Sequence, residues 1–310
     1  MGIRSFSEDN SPFQVNQKYI RQKLIEEIKD SSNLLSDKNH LKKEYKKNGY
    51  LFFRNFIPTK SLKKARKEII QRLESVGEVK IFKNTPIATG RSERRLKEND
   101  LGTYWKSVSE GKNLRLITHS NQLSELASKI FNETCDPFDF IFLRVGVPGR
   151  FTHIHCDYPF FTRMTEEVVT MWIALTDVAA DLGPLFLIKG SHLFSEHLSE
   201  TKGFDLMKQN DRNASIKEHP EEYAKRNNTC LLTKEFMAGD VLLFNMYILH
   251  GSFENYSKKR KIRITCDVRF QPKAMPKDPR YFGKHPTGTT GFGYGELNGA
   301  KPLDEPWHVR

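Results

Sequence analysis

His155 and Asp157 stand two residues apart, His250 lies far downstream, and Arg263 follows it closely. Two imidazoles and one carboxylate on one face of a metal leave the opposite positions open. That donor set suits a ferrous ion that must admit both a co-substrate and dioxygen. An arginine beside such a centre can take the far carboxylate of a 2-oxo acid through a two-point, charge-assisted contact. Alternate side chains of a strand share a face, so His153, His155 and Asp157 can all point one way. His250 follows the apolar run Val241 to Phe244 and precedes the turn-forming pair Gly251-Ser252. A histidine and an aspartate so spaced also arise by chance, so a surface pair and a turn-capping histidine fit the same residues.

The run Arg263 to Phe270 alternates strictly. Arg263, Thr265, Asp267 and Arg269 fall on one face, and Ile264, Cys266, Val268 and Phe270 on the other. Such a strand either turns its polar face to water, as antiparallel sheets often do, or lines a pocket with it. The pattern fits both.

These residues need a scaffold. Residues 1–40 are polar and read as an N-terminal extension with one helix around Tyr19 to Lys29. A helix ending at Asn48-Gly49 then leads into a strand over Tyr50 to Phe53. Leu62, Ala65, Ile69 and Leu73 repeat at helical spacing, as do Leu123, Leu126, Ala127 and Ile130 after Ser120, an N-cap residue. The charged, glycine-containing stretch Asn84 to Lys112 reads as a long loop of the kind that forms lids.

From Phe138 onward the texture is short β runs: Phe140 to Val147, Val168 to Asp177, Leu185 to Lys189, Asp240 to Asn245 and Ile262 to Phe270. Glycine and proline turns separate them. Residues 195–229 read as a charged insertion with some helix, and the last forty or so residues as a tail that wraps the surface or covers an opening. Helices first and strands second predict an α+β protein. Its core would be a β-sandwich or jelly roll flanked by N-terminal helices, forming a single domain over residues 41–310.

Composition removes several alternatives. No apolar run approaches the length of a membrane span, and Met1 to Gln14 lacks an apolar signal core. Four scattered cysteines, Cys135, Cys156, Cys230 and Cys266, form no CxxC pair. Together these point to a reduced, cytoplasmic protein rather than a disulfide framework or a structural zinc site. The net charge of +12 raises the question of nucleic acid. However, the lysines cluster on helical stretches such as Lys42 to Lys47, where a solvated face explains them, and no nucleic-acid-reading motif accompanies them. A small anionic substrate suits the same charge, and oligomeric state is not encoded legibly.

Taken in order, several motifs resemble the phytanoyl-CoA dioxygenase family. They are Gly49-Tyr50-Leu51 with Asn55-Phe56, His155-Cys156-Asp157, and Trp172-Ile173-Ala174-Leu175-Thr176-Asp177. Gly183-Pro184-Leu185, Lys189-Gly190-Ser191-His192, Gly239-Asp240 and His250-Gly251-Ser252 with Asn255 follow. The run from Arg263 through Arg269-Phe270-Gln271-Pro272 completes the set, which spans about residues 40 to 275. The resemblance implies a double-stranded β-helix, Fe(II) held by His155, Asp157 and His250, and 2-oxoglutarate as co-substrate with its distal carboxylate on Arg263. The family usually places that arginine about eleven residues after the distal histidine, where this chain has Lys261. Arg263 is preferred to its neighbour Arg260 because its spacing to Arg269-Phe270-Gln271-Pro272 fits.

Softer expectations attach to other residues. Thr170, Arg144 and Trp172 are candidates to contact the co-substrate, and Arg269 and His153 to contact the substrate. Trp172 could equally pack in the core, Arg269 pair with Asp267 or another carboxylate, and His153 serve a plain hydrogen-bonding role. The implied reaction consumes O2, decarboxylates 2-oxoglutarate to succinate, and hydroxylates an unactivated C–H bond of a small metabolite. Asp157 argues against a halogenase, which leaves the carboxylate position empty for a halide. Desaturation or oxidative cyclisation would use the same site, and a silent member would bind a metabolite without turnover.

Overall fold

The computed structural model describes residues 9–209 and 212–307. Two six-stranded sheets face each other. The first runs in the order Tyr50–Phe53, Val241–Asn245, Val169–Ala174, Arg263–Pro272 and Cys135–Pro137, with Phe142–Gly146 also paired to the long Arg263–Pro272 strand. The second runs Ser215–Ile216, Thr152–His155, His250–Ser252, Leu185–Ile188, Leu231–Thr233 and Ile25–Glu27. All pairs are antiparallel except the last, which is parallel. This is the expected jelly roll.

Alternation in the sequence decides what lies inside. Trp172, Ala174, Leu242, Phe244, Leu185 and Leu187 meet in an apolar cluster between the sheets. Their neighbours Met171, Ile173, Leu243 and Ile264 belong to the larger cluster that also takes in Leu62, Ile69 and Leu73 of helix Thr59–Ser75. All ten residues of strand Arg263–Pro272 are buried, so its polar face looks into the protein rather than to water. Four charged or hydroxyl side chains on a buried face need partners there, and this requirement shapes the site.

The helix ending at Asn48, with Gly49 in the left-handed conformation (φ 77°), forms as the sequence predicts, as do helices Thr59–Ser75 and Asn121–Phe131. Ser120 caps the last by accepting a hydrogen bond from the Leu123 amide. Two expectations fail. Tyr19 to Lys29 holds only a short 3-10 turn at Gln22–Leu24: Lys18–Arg21 pairs with Asn10–Val15, and Ile25–Glu27 extends the second sheet. An open sheet edge, with Lys189 and Lys234 available to Glu26 and Glu27, outweighs local helix propensity.

The stretch Asn84 to Lys112 is not a long loop either. A hairpin closes over Val79–Phe82 and Thr85–Ala88, and helices Arg94–Lys97, Leu101–Ser109 and Lys112–Thr118 follow. Tyr104, Trp105 and Val108 of the middle helix are buried. The segment expected as an insertion holds helices Ser195–Thr201 and Pro220–Arg226 and the short strand Ser215–Ile216. No helix among the described residues is long and apolar enough to cross a membrane, and all four cysteines are buried free thiols.

One glycine matters directly for the site. A Cβ on Gly251 would sit 2.7 Å from both the Thr152 carbonyl oxygen and the Phe186 ring, so strands Thr152–His155 and His250–Ser252 approach closely only because it is absent. Gly251→Ala is therefore expected to cost about 1–3 kcal/mol of stability, the usual range for overpacking. It should also weaken metal retention relative to a distant substitution of equal stability cost. Denaturant melts and metal titrations on both variants check this.

Candidate metal centre

His155 and His250 are cross-strand partners, and their rings lie 4.2 Å apart between centroids. Asp157 follows the end of its strand, turns into helical backbone (φ −84°, ψ −15°), and precedes the short helix Tyr158–Phe161. One donor atom from each of the three residues lies within 4.8 Å of the others, and His250 Nε2 is 3.9 Å from Asp157 Oδ1. The strand pairing thus joins residues that the chain separates widely.

The other polar atoms of the three side chains are already engaged. His155 Nδ1 donates to the His153 carbonyl at 2.9 Å, and His250 Nδ1 to the Ile248 carbonyl at 3.1 Å. A carbonyl only accepts, so each Nδ1 carries the proton and each Nε2 presents a lone pair. Asp157 Oδ2 accepts from Arg269 Nη2 at 2.8 Å and from the Thr170 hydroxyl, which leaves Oδ1 toward His250. Three lone pairs converge while every outer atom is anchored, the arrangement that fixes ligand orientation at metal sites. Cys156 falls on the other face of the strand, and burial pushes its thiol up to about 12, so no thiolate competes.

The electrostatics favour the ligating forms. Burial, helped by the neighbouring His250, drops His155 to about 3, and burial likewise lowers His250. Burial alone would raise the Asp157 carboxyl, but Arg269, then His250 and His155, hold it below the ordinary range. In the unfolded chain a histidine protonates near 6.5, so between about 6.5 and 3 the unfolded state binds more protons than the folded one. The metal-free protein is therefore expected to lose stability steadily as pH falls through that window, with Asp157 adding in the same direction at more acid pH. Denaturant midpoints measured from pH 7.5 downward check this, and a His155→Asn variant should show the flatter curve.

Arg263 is 2% exposed and makes one long hydrogen bond, Nη2 to Ser252 Oγ at 3.3 Å, while its Nε has no partner. It has no carboxylate within ion-pairing distance among the described residues. Burial, followed by the charge of Arg144, lowers its guanidinium to about 10, still charged at neutral pH. Arg260 lies elsewhere: it is exposed, and its Nε donates to the Ala88 carbonyl at 2.8 Å. Of the two arginines weighed in the sequence, only Arg263 reaches the interior between the sheets.

Other expected contacts are redirected. Arg269, expected at the substrate or on a carboxylate, lines the cavity; it is clamped between the Phe142 and Phe161 rings, 4.4 and 4.1 Å from its guanidinium carbon, and grips Asp157. Thr170, expected at the co-substrate, donates its hydroxyl to Asp157 and accepts from Arg269 Nε at 3.2 Å. Trp172 shares the face of Thr170, packs 4.7 Å from Phe236 within the apolar cluster, and is not among the residues lining the cavity. Arg144 lines the cavity with its Nε on Asp267 at 2.7 Å. His153 also lines it, edge-on to Phe151, and lends its carbonyl to His155.

A cavity of about 290 Å³ opens beside His155 and Asp157, and His250, Arg263 and Ser252 are not among its lining residues. Phe142, Phe160 and Phe161 form its wall near Asp157, and the tail contributes Leu297, Pro306 and Trp307. Sequence reasoning missed Ser252 as the partner of Arg263, although it lies two residues from His250 on the same strand. It also missed Arg150 and Trp307, which no local pattern marks.

Residues 45–263 match the sequence profile described as phytanoyl-CoA dioxygenase (PhyH). A curated relative, 1-deoxypentalenic acid 11-beta-hydroxylase of Streptomyces arenae, is 24% identical over 253 residues, 78% of this chain and 84% of that protein. Among solved structures the fold is similar to the non-heme alpha ketoglutarate dependent carbocyclase SnoK from nogalamycin biosynthesis. That likeness has a TM-score of 0.54 at 18% identity, covering 89% of this chain and 96% of that one. It is also similar to the epimerase SnoN, solved in complex with Fe3+, alpha ketoglutarate and nogalamycin RO, with a TM-score of 0.54 at 13% identity over 88% and 95% of the two chains.

Proposed function

This chain belongs to the phytanoyl-CoA dioxygenase family, and we propose that it hydroxylates an unactivated C–H bond of a small metabolite while 2-oxoglutarate is converted to succinate. The observation that carries this reading is the convergence of donor atoms from His155, His250 and Asp157, two of which, His155 and Asp157, line an aromatic-walled cavity. Those atoms would hold Fe(II). Arg263 and Ser252 would hold the distal carboxylate of 2-oxoglutarate, since a buried guanidinium without a carboxylate partner is the group such an anion would satisfy. With O2, the bound iron and 2-oxo acid supply an oxidising equivalent strong enough to break a C–H bond.

The remaining side chains act by holding positions. Arg269 and Thr170 fix Asp157 so that one oxygen faces inward. Asp267 holds Arg144 at the cavity wall. Phe142, Phe160 and Phe161 exclude water from the space beside the ligands and offer a hydrocarbon surface to the substrate.

Hydroxylation is favoured because the curated relative bears that activity in its name. The carbocyclase and epimerase names among the structural neighbours supply the second reading, ring closure or another outcome at the same centre. The test is a screen of small metabolites for substrate-stimulated succinate release in the presence of Fe(II) and 18O2, with products weighed by mass spectrometry. One labelled oxygen in the product supports hydroxylation, and loss of two hydrogens without label supports the second reading. Succinate release that survives His250→Ala contradicts both.

A further inference from the structure

Five arginines are buried among the described residues: Arg94, Arg150, Arg263, Arg269 and Arg280. Three carry carboxylate partners, with Arg94 on Glu78, Arg269 on Asp157 and Arg280 on Asp278. Arg263 is accounted for by the co-substrate. Arg150 remains, and it lines the cavity. A buried guanidinium without a counter-charge is costly, so it calls for an explanation.

Arg150 is 8% exposed. Its Nη2 donates to the tail carbonyls of Leu303 at 2.7 Å and Glu305 at 2.5 Å, with Pro302 at 3.3 Å, and the Trp307 ring covers it at 5.0 Å. Its Nη1 has no hydrogen-bond partner. Carbonyl dipoles and an aromatic face orient the group, and Glu78, Asp304 and Glu305 act on its charge only from beyond ion-pairing distance. Burial lowers it only to about 10, so it stays cationic at neutral pH.

Its place relative to the metal ligands gives the charge a use. Arg150 lies two residues before strand Thr152–His155, and about 10 Å of that strand separates Thr152 from the ligand His155. Phe142, Phe160 and Phe161 line the cavity along with Asp157, while Trp307 lies against Arg150. One cavity therefore joins a positive charge at a distance from the metal to a hydrocarbon-lined region that reaches the ligand aspartate.

Building on the oxygenase reading above, we propose that the substrate is a small, largely hydrocarbon acid whose anionic head group binds Arg150 and whose apolar body reaches the metal. Oxidation then falls several bonds from the acid group. The head group is a carboxylate or a phosphate ester, which share the chemistry of a single-point anion contact with the guanidinium. Arg150 is a specificity-determining residue, and the tail that fixes it is part of the substrate site.

The test needs no turnover. Protein loaded with Mn(II) and 2-oxoglutarate under nitrogen is titrated calorimetrically with cyclic and medium-chain hydrocarbon carboxylic acids. Each is paired with its primary amide and with the corresponding alkyl phosphate, and the metal-free protein is titrated in parallel. Acids or phosphates are expected to bind about tenfold tighter than the amides, the scale of one charge-assisted hydrogen bond. Whichever anion binds tighter identifies the head group. Arg150→Gln should erase the preference and Arg150→Lys should retain most of it, with Mn(II) and 2-oxoglutarate binding unchanged in both. A panel in which no anion outbinds its amide, whether both bind or neither does, overturns the proposal, and the unmodified protein alone gives that answer. Failure of Mn(II) or 2-oxoglutarate to bind would count against the oxygenase reading instead, and the metal-free titration still decides the anion preference.

Discussion

Arg263→Ala is expected to raise the KM for 2-oxoglutarate roughly 30-fold or more, with a smaller change in kcat at saturating co-substrate. Truncating one partner of a buried, hydrogen-bonded charge pair costs about 2–5 kcal/mol, and about 1.4 kcal/mol is a tenfold change in affinity. Arg263 meets the conditions for an effect of that size. It is buried, its Nε has no partner, and its one hydrogen bond, to Ser252, is long. Ser252→Ala should act in the same direction and more weakly. Arg260→Ala supplies the contrast, because that side chain is exposed and serves the Ala88 carbonyl. Steady-state kinetics on the three variants separate the two arginines. An Arg260 effect without an Arg263 effect reverses the assignment.

Arg269→Met is expected to destabilise the metal-free protein by about 3–5 kcal/mol, the cost of leaving a buried charge without its partner. Asp157 is 2% exposed, and among the described residues Arg269 is the one arginine or lysine paired with it, the two histidines being kept neutral by burial. Methionine approximates the length of the side chain between Phe142 and Phe161, so the loss falls mainly on the charge. A divalent cation bound at Asp157 would compensate the same carboxylate. Metal should therefore stabilise the variant in denaturant melts by more than it stabilises the unmodified protein. If metal stabilises both equally, the carboxylate does not face the metal.

The strand that carries Arg263 and Arg269 shows where sequence reading succeeds and where it stops. Its alternation divides the residues correctly, and the structure shows that the polar face is interior. Periodicity could not decide that, because a strand bordering water and a strand bordering a cavity have the same pattern. The pairing of His155 with His250 was legible only as a motif in order, since register between distant strands is a tertiary property.

Face sharing leaves Arg269 open to an anionic substrate or a carboxylate partner and Thr170 open to the co-substrate. The structure shows both on Asp157, with Arg269 also lining the cavity, and sharing a face does not say which atoms meet. Residues 94–118 were missed for a different reason. Asp100 is an N-cap, accepting from the Thr103 amide at 2.5 Å, and Tyr104, Trp105 and Val108 follow at helical spacing. Gly102 and Gly111 together with many charges concealed that signal. Arg150 carries no local signature at all, and the carbonyls of Pro302, Leu303 and Glu305 that hold it come together only once the tail is in place.

The most direct check of the central claim is anaerobic calorimetry of Fe(II) and then 2-oxoglutarate. It should be run on the unmodified protein and on His250→Ala, with folding of both confirmed by circular dichroism. The arrangement of His155, Asp157 and His250 predicts a single ferrous ion per chain, co-substrate binding that requires this ion, and loss of both in the variant. A folded His250→Ala protein that takes up iron and the 2-oxo acid as before would show that these three side chains are not the metal's home.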